Sequence, residues 1–266
     1  MKVLLSAARP TLWIALLALA VAGCSSPTIN DKDSAEKLYA DARDEMSSGN
    51  YDKAIKLLER VEGKAAGSTL AQQAILEQAY AQWRSGERAT SLATLERFIK
   101  THPSSPALDY AMYLKGIVNF NDSLGILSSI SRQDISERDQ QASRDAYQAF
   151  KQLVDQFPDS KYSADARVRM DYIVNALAEY ELHVARYYYR RGAYVAAANR
   201  AQYTVREYQQ TPSVEEALYI MGQSYDKLGL NELRDDADRV LKANYPDSRF
   251  SREGIRKRST PWWQFW

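Results

Sequence analysis

The sequence predicts an all-α chain: about five helix hairpins stacked into a right-handed superhelix, behind an N-terminal export segment. Three observations carry that expectation. Alanine and tyrosine are abundant while alternating β-branched runs are scarce, which favours helices that approach closely through small side chains. Small and apolar residues recur with a period of about 34 residues, the length of one helix–turn–helix unit. Glycines punctuate the pattern where each hairpin has to turn, at Gly49, Gly86, Gly192 and Gly229.

Taken in order, Lys2 and Arg9 come first, followed by an apolar run from Leu12 to Ala22. A charged start, a short apolar centre and small residues at the cut make a secretory signal peptide over residues 1–23. About eleven apolar residues are too few to cross the ~30 Å hydrocarbon core as a permanent helix. Val21-Ala22-Gly23-Cys24 resembles the lipobox of bacterial lipoproteins, and Cys24 is the single cysteine of the 266 residues. The resemblance implies that the Cys24 thiol is lipidated and that the mature chain begins there, held stably once two or more acyl chains insert. Ser25 stands where an aspartate would resemble an inner-membrane retention signal. That points to an outer-membrane anchor with the chain facing the periplasm. Residues 24–33 then read as a lipidated flexible tether.

The repeats over 34–160 come next. Leu38, Ala42, Ala54, Leu58 and Val61 fall at the packing positions of the first. Ile75, Ala79, Ser91, Leu95, Phe98 and Pro103 do so for the second. The third is split: Met112 and Gly116 suit its first helix, and Ala146, Phe150, Leu153 and Pro158 its second. Between them lies an insertion at about 121–136, rich in serine, with Ser136 a weak helix N-cap. Such a loop is functional or disordered. A second half spans 161–248. Residues 163–191 contain no helix breaker and read as one helix of roughly 43 Å. Ala185, Tyr188, Tyr194, Ala197 and Ala201 supply the fourth repeat, and Leu218, Gly222, Tyr225 and Pro246 the fifth. Arg234 occupies the alanine position of that last hairpin, so its second helix is expected to shift. In combination these matches resemble the tetratricopeptide family.

Chemistry is sparse. The formal charge is +1, with 35 bases against 34 acids, which gives no electrostatic reason to bind nucleic acid. Two histidines, His102 and His183, sit in different repeats, and with one cysteine no His/Cys metal cluster forms. No phosphate-cradling glycine loop or nucleophile elbow is present. The chain is expected to be no enzyme, with no cofactor beyond the lipid at Cys24.

Binding is the better expectation. Helical spacing at i, i+3, i+7 and i+10 puts one face of each first helix toward the concave side of such an array. That face holds Tyr39 and Arg43, then Leu76, Tyr80 and Trp83, then Tyr110, Tyr113, Ile117 and Phe120. Aromatics with a polar end and an arginine suit peptide recognition, although each residue could instead pack between hairpins. The second half presents a more charged, tyrosine-bearing surface around Arg186, Tyr189, Arg200 and Tyr219, a composition that suits a protein partner. The tail over 249–266 joins Arg252, Arg256, Lys257 and Arg258 to Pro261-Trp262-Trp263-Gln264-Phe265-Trp266. It suits a membrane interface, a partner interface, a strap or a disordered end.

Beside the lipobox and the repeats, Glu181-Leu182-His183-Val184-Ala185-Arg186-Tyr187-Tyr188, continued by Arg191-Gly192-Ala193-Tyr194 and Ala197-Ala198-Asn199-Arg200, resembles the BamD family of β-barrel assembly lipoproteins. The resemblance runs to about Phe250. It implies a non-enzymatic adaptor. Its N-terminal half would accept C-terminal targeting peptides of unfolded outer-membrane proteins. Its C-terminal half would dock on the barrel-forming subunit and on another assembly lipoprotein. A secretin pilotin or a scaffold for peptidoglycan enzymes is the rival reading.

Overall fold

The computed structural model describes residues 33–120 and 140–254, and every regular element among them is helical. The signal peptide, Cys24 with nearly all of the tether, the 121–136 insertion and the tail beyond 254 lie outside the described residues. In chain order the helices are α1 (Ala35–Ser47), α2 (Tyr51–Lys64), α3 (Thr69–Arg84), α4 (Arg88–Thr101), α5 (Leu108–Asn119) and α6 (Gln140–Gln156). They continue as α7 (Ser163–Arg190), α8 (Tyr194–Glu207), α9 (Ser213–Lys227), α10 (Asn231–Asn244) and α11 (Arg249–Glu253). None of the described helices is long and apolar enough to cross a membrane.

Two compact units divide the chain between Ala74 and Ile75. At 160/161, the expected boundary between the halves, α7 packs on α6 before it and on α8 and α9 after it. In the first unit the Ser34 hydroxyl accepts the Lys37 N–H at 3.2 Å and caps α1. Leu38 and Ala42, one turn apart on α1, meet Leu57, Leu58 and Val61 of α2 and Ala74. Gly49, at φ 78°, makes the turn between the helices in a conformation that glycine adopts without a steric penalty.

The second unit repeats this hairpin plan. The predicted packing positions Ile75, Ala79, Leu95 and Phe98 are buried together. Ser91 is small for a reason beyond fit: its hydroxyl donates to the Ala79 carbonyl at 2.7 Å, tying α4 to α3. In the split hairpin, Met112, Ala146, Phe150 and Leu153 form the next core segment together with Ala166, Ile173 and Leu177 of α7. The 28-residue α7 runs unbroken, as its sequence predicts, and its second half buries Leu182 and Ala185 against Ala197, Ala201, Ala217 and Ile220. In the last hairpin Arg234 stands at the alanine position within α10. Arg234 points outward to Asp226 at 3.3 Å and Asp235 at 2.8 Å, and Ala237 and Leu241 do the packing instead.

Candidate functional site

The aromatic residues of α3 and α5 form the main chemical feature of the second unit. Tyr80 and Trp83, three apart on α3, meet edge to face at 5.8 Å, half-buried over the core of Ile75, Leu95 and Phe98. Tyr110, Tyr113 and Ile117 follow at i, i+3 and i+7 along one face of α5, and Phe120 follows its end. Tyr162, in the turn before α7, ties this row together: its ring lies 5.5 Å from Tyr110 and stacks on Tyr113 at 4.8 Å. Phe120 meets Phe150 at 6.3 Å and Tyr172 at 5.8 Å. Cations sit over three of these rings: Arg84 at 5.7 Å from the Tyr80 ring, Lys161 at 4.9 Å from that of Tyr162, and Arg169 at 5.0 Å from that of Phe120.

Hydrogen bonds fix the middle of the row. The Tyr113 hydroxyl donates to Asp165 Oδ2 at 2.7 Å, and Arg169 Nε donates to the same oxygen at 2.6 Å. Burial pulls the Asp165 carboxyl upward, but the hydrogen bonds from Arg169 and Tyr113 outweigh it and hold it below its ordinary value. Burial, then the bond to Asp165, raises the Tyr113 phenol. Burial pushes Tyr110 up to about 12, reinforced by Tyr162. These phenols therefore remain neutral donors at physiological pH. The open parts of these rings, with cations beside them, form a surface of mixed apolar and cationic character.

Leu76 is a correction. At 4 % exposure it lies in the core with Ile75, Ala111 and Leu114, because an apolar side chain without a polar end gains by being covered on that flank of α3. Tyr39 and Arg43 belong to the first unit, where Tyr39 packs on the core of Leu38 and Leu57. Tyr162, Arg169 and Tyr172 were missed by the sequence reading. The packing positions assigned to the fourth repeat begin at Ala185, so the turn before α7 and the first half of that helix carry no assignment. An aromatic residue just before a helix, with Arg169 and Tyr172 one turn apart, was the available signal.

The partner-surface candidates also sort themselves. Arg186 is spent internally. Its Nε and Nη2 donate to the two Glu216 oxygens at 2.5 and 2.6 Å, and its Nη1 donates to Glu179 at 2.7 Å. Three of its five N–H groups are therefore engaged inside the fold. Arg200 is half exposed, as expected, yet its Nη1 already donates to the buried Glu181 at 3.0 Å. Tyr189 meets Tyr194 edge on at 5.6 Å, and Tyr219 lies 6.1 Å from Phe250 of α11, which partly covers it. Among the described residues, no group of three or more His, Cys, Asp or Glu is placed to hold a metal ion.

A family model described as "Outer membrane lipoprotein" matches residues 31–241. A protein of Neisseria meningitidis serogroup A named outer membrane protein assembly factor BamD is 46% identical over 257 residues, covering 94% of this chain and 96% of its own. The chain belongs to the BamD family. Relatives of the same name reach 36% identity over 250 residues in Xylella fastidiosa Temecula1, covering 90% of this chain and 85% of theirs. In Haemophilus influenzae the figure is 34% over 234 residues, covering 87% and 89%. The resemblance carried by residues 181–200 is thereby upheld, and the family is one of outer membrane protein assembly factors.

Proposed function

We propose that this chain is a non-enzymatic adaptor of outer-membrane β-barrel assembly. In this reading it is anchored by lipid at Cys24 and faces the periplasm. Its aromatic row receives targeting peptides from unfolded outer-membrane proteins. Its second half docks on the barrel-forming subunit through the exposed flank of Arg200 and the tyrosines around it. The observation that carries the reading is the set of half-buried rings from Tyr80 to Phe120 together with Tyr162, three of them overlaid by a cation. Such a set is costly to leave in water and suits the side chains of an extended peptide.

The test combines Tyr80→Ala, Trp83→Ala and Tyr113→Ala and measures affinity for peptides from barrel-protein C-termini by fluorescence anisotropy. Each aromatic contact is worth about 0.5–1.5 kcal/mol beyond its area burial, so the triple variant should bind at least tenfold more weakly. Unchanged affinity, with a wild-type circular dichroism spectrum, would move the peptide site elsewhere. The anchor is tested separately. Mass spectrometry of the mature N-terminus should find an acylated Cys24, and Cys24→Ser should leave the precursor uncleaved. An unmodified thiol at Cys24 would remove the anchor. Co-purification from detergent with a secretin ring, rather than with a barrel protein bearing periplasmic domains, would favour the pilotin reading.

A further inference from the structure

We propose that the basic, tryptophan-rich segment 255–266 docks on the open apolar edge of α10 and caps the last hairpin. Stacked hairpins bury their faces on their neighbours, so the terminal one needs a cover of its own. Within the described residues α10 is followed only by the five-residue α11, and that helix packs on α9, with Phe250 7% exposed beside Tyr219. The apolar edge of α10 stays in water. Leu233 is 46% exposed and Val240 38%, seven residues apart and so on one face, with Leu230 just before the helix 45% exposed. The adjoining face is already used, because Leu241 packs with Val214 and Leu218 of α9.

Position, length and charge all select 255–266 as the occupant. Gly254 lies against α9, with the site a Cβ would take 3.3 Å from the Tyr219 hydroxyl, so the chain leaves beside the helix on which α10 packs. Trp262 follows eight residues later, a reach of up to about 26–29 Å, while the 14 residues of α10 span about 21 Å. Pro261 favours an extended backbone at the residue before it. The segment carries Arg256, Lys257 and Arg258 and no acid, whereas α10 carries Glu232, Asp235, Asp236 and Asp238 against three bases. Trp262, Trp263, Phe265 and Trp266 then supply flat apolar surface for Leu233 and Val240, and the basic residues lie nearer the acids of α10.

The experiment compares amide hydrogen exchange in the full membrane-bound chain and in a chain ending at Gly254. Amides of α10 should exchange about tenfold faster in the shortened chain, while those of α7 and α8 keep their rates. A benzophenone side chain at position 263 should crosslink to α10 within the same molecule, and Leu233→Glu with Val240→Glu should abolish that product. Equal α10 exchange with and without the segment would overturn the proposal. Crosslinks formed only to a second copy, or only to phospholipid, would also overturn it and assign the segment to self-association or to the membrane surface.

Discussion

Replacing Arg186 with leucine should cost about 3–5 kcal/mol of stability, the usual consequence of removing one member of a buried ion pair. The guanidinium spends all three nitrogens inside the fold, two on Glu216 and one on Glu179. The Glu216 side chain is only 7% exposed and that of Glu179 48%, so Glu216 is the carboxylate left stranded while Glu179 returns to water. Burial disfavours the Arg186 charge, but the hydrogen bonds to Glu216 and Glu179 outweigh it and raise the group above its ordinary value. Arg200→Leu should cost less although Glu181 is also buried. Arg200 is 47% exposed and covers Glu181 from outside, so its loss admits water to that carboxylate. Arg186→Leu combined with Glu216→Leu should recover most of the loss, since apolar residues of similar size replace a buried pair without penalty. Urea denaturation measures all three. A single Arg186→Leu variant that loses less than about 1 kcal/mol would reduce the pair to the rank of a surface bridge.

The hairpins were legible because close helix packing leaves little choice of residue. Ala42, Ala54, Ala79, Ala146, Ala197 and Ala201 are all fully buried, and only small side chains fit where two backbones approach. The long α7 was legible for the opposite reason, the absence of any breaker over 163–190. What escaped the sequence was the pairing of distant residues. Arg186 and Glu216 are 30 positions apart, Tyr113 and Asp165 are 52 apart, and no local pattern joins them. The face of a helix was readable only to within its flank. Tyr80 and Trp83 lie half-buried, while Leu76 on the same stripe is covered in the core that also holds Ala111 and Leu114 of α5. Tyr162 sits in a turn, where periodicity gives no orientation at all.

Gly116→Ala is the sharpest test of the split hairpin. A Cβ at Gly116 would overlap the Phe150 ring, whose Cζ would lie 2.8 Å away. Phe150 is fully buried among Met112, Leu153 and Ile173, so the ring has nowhere to retreat. Alanine would otherwise favour the interior of α5 by about 0.8–1.0 kcal/mol, but overpacking costs about 1–3 kcal/mol, and the second effect should win. Phe150→Ala should be more damaging, about 3–5 kcal/mol, because it empties the centre of that core. The two sites must also couple. With Phe150→Leu making room, Gly116→Ala should become neutral or stabilising, giving an interaction of about 0.5–3 kcal/mol in a double-mutant cycle. Urea unfolding followed by circular dichroism supplies the four values. If Gly116→Ala costs the same in both backgrounds, the ring is not what excludes a side chain from position 116.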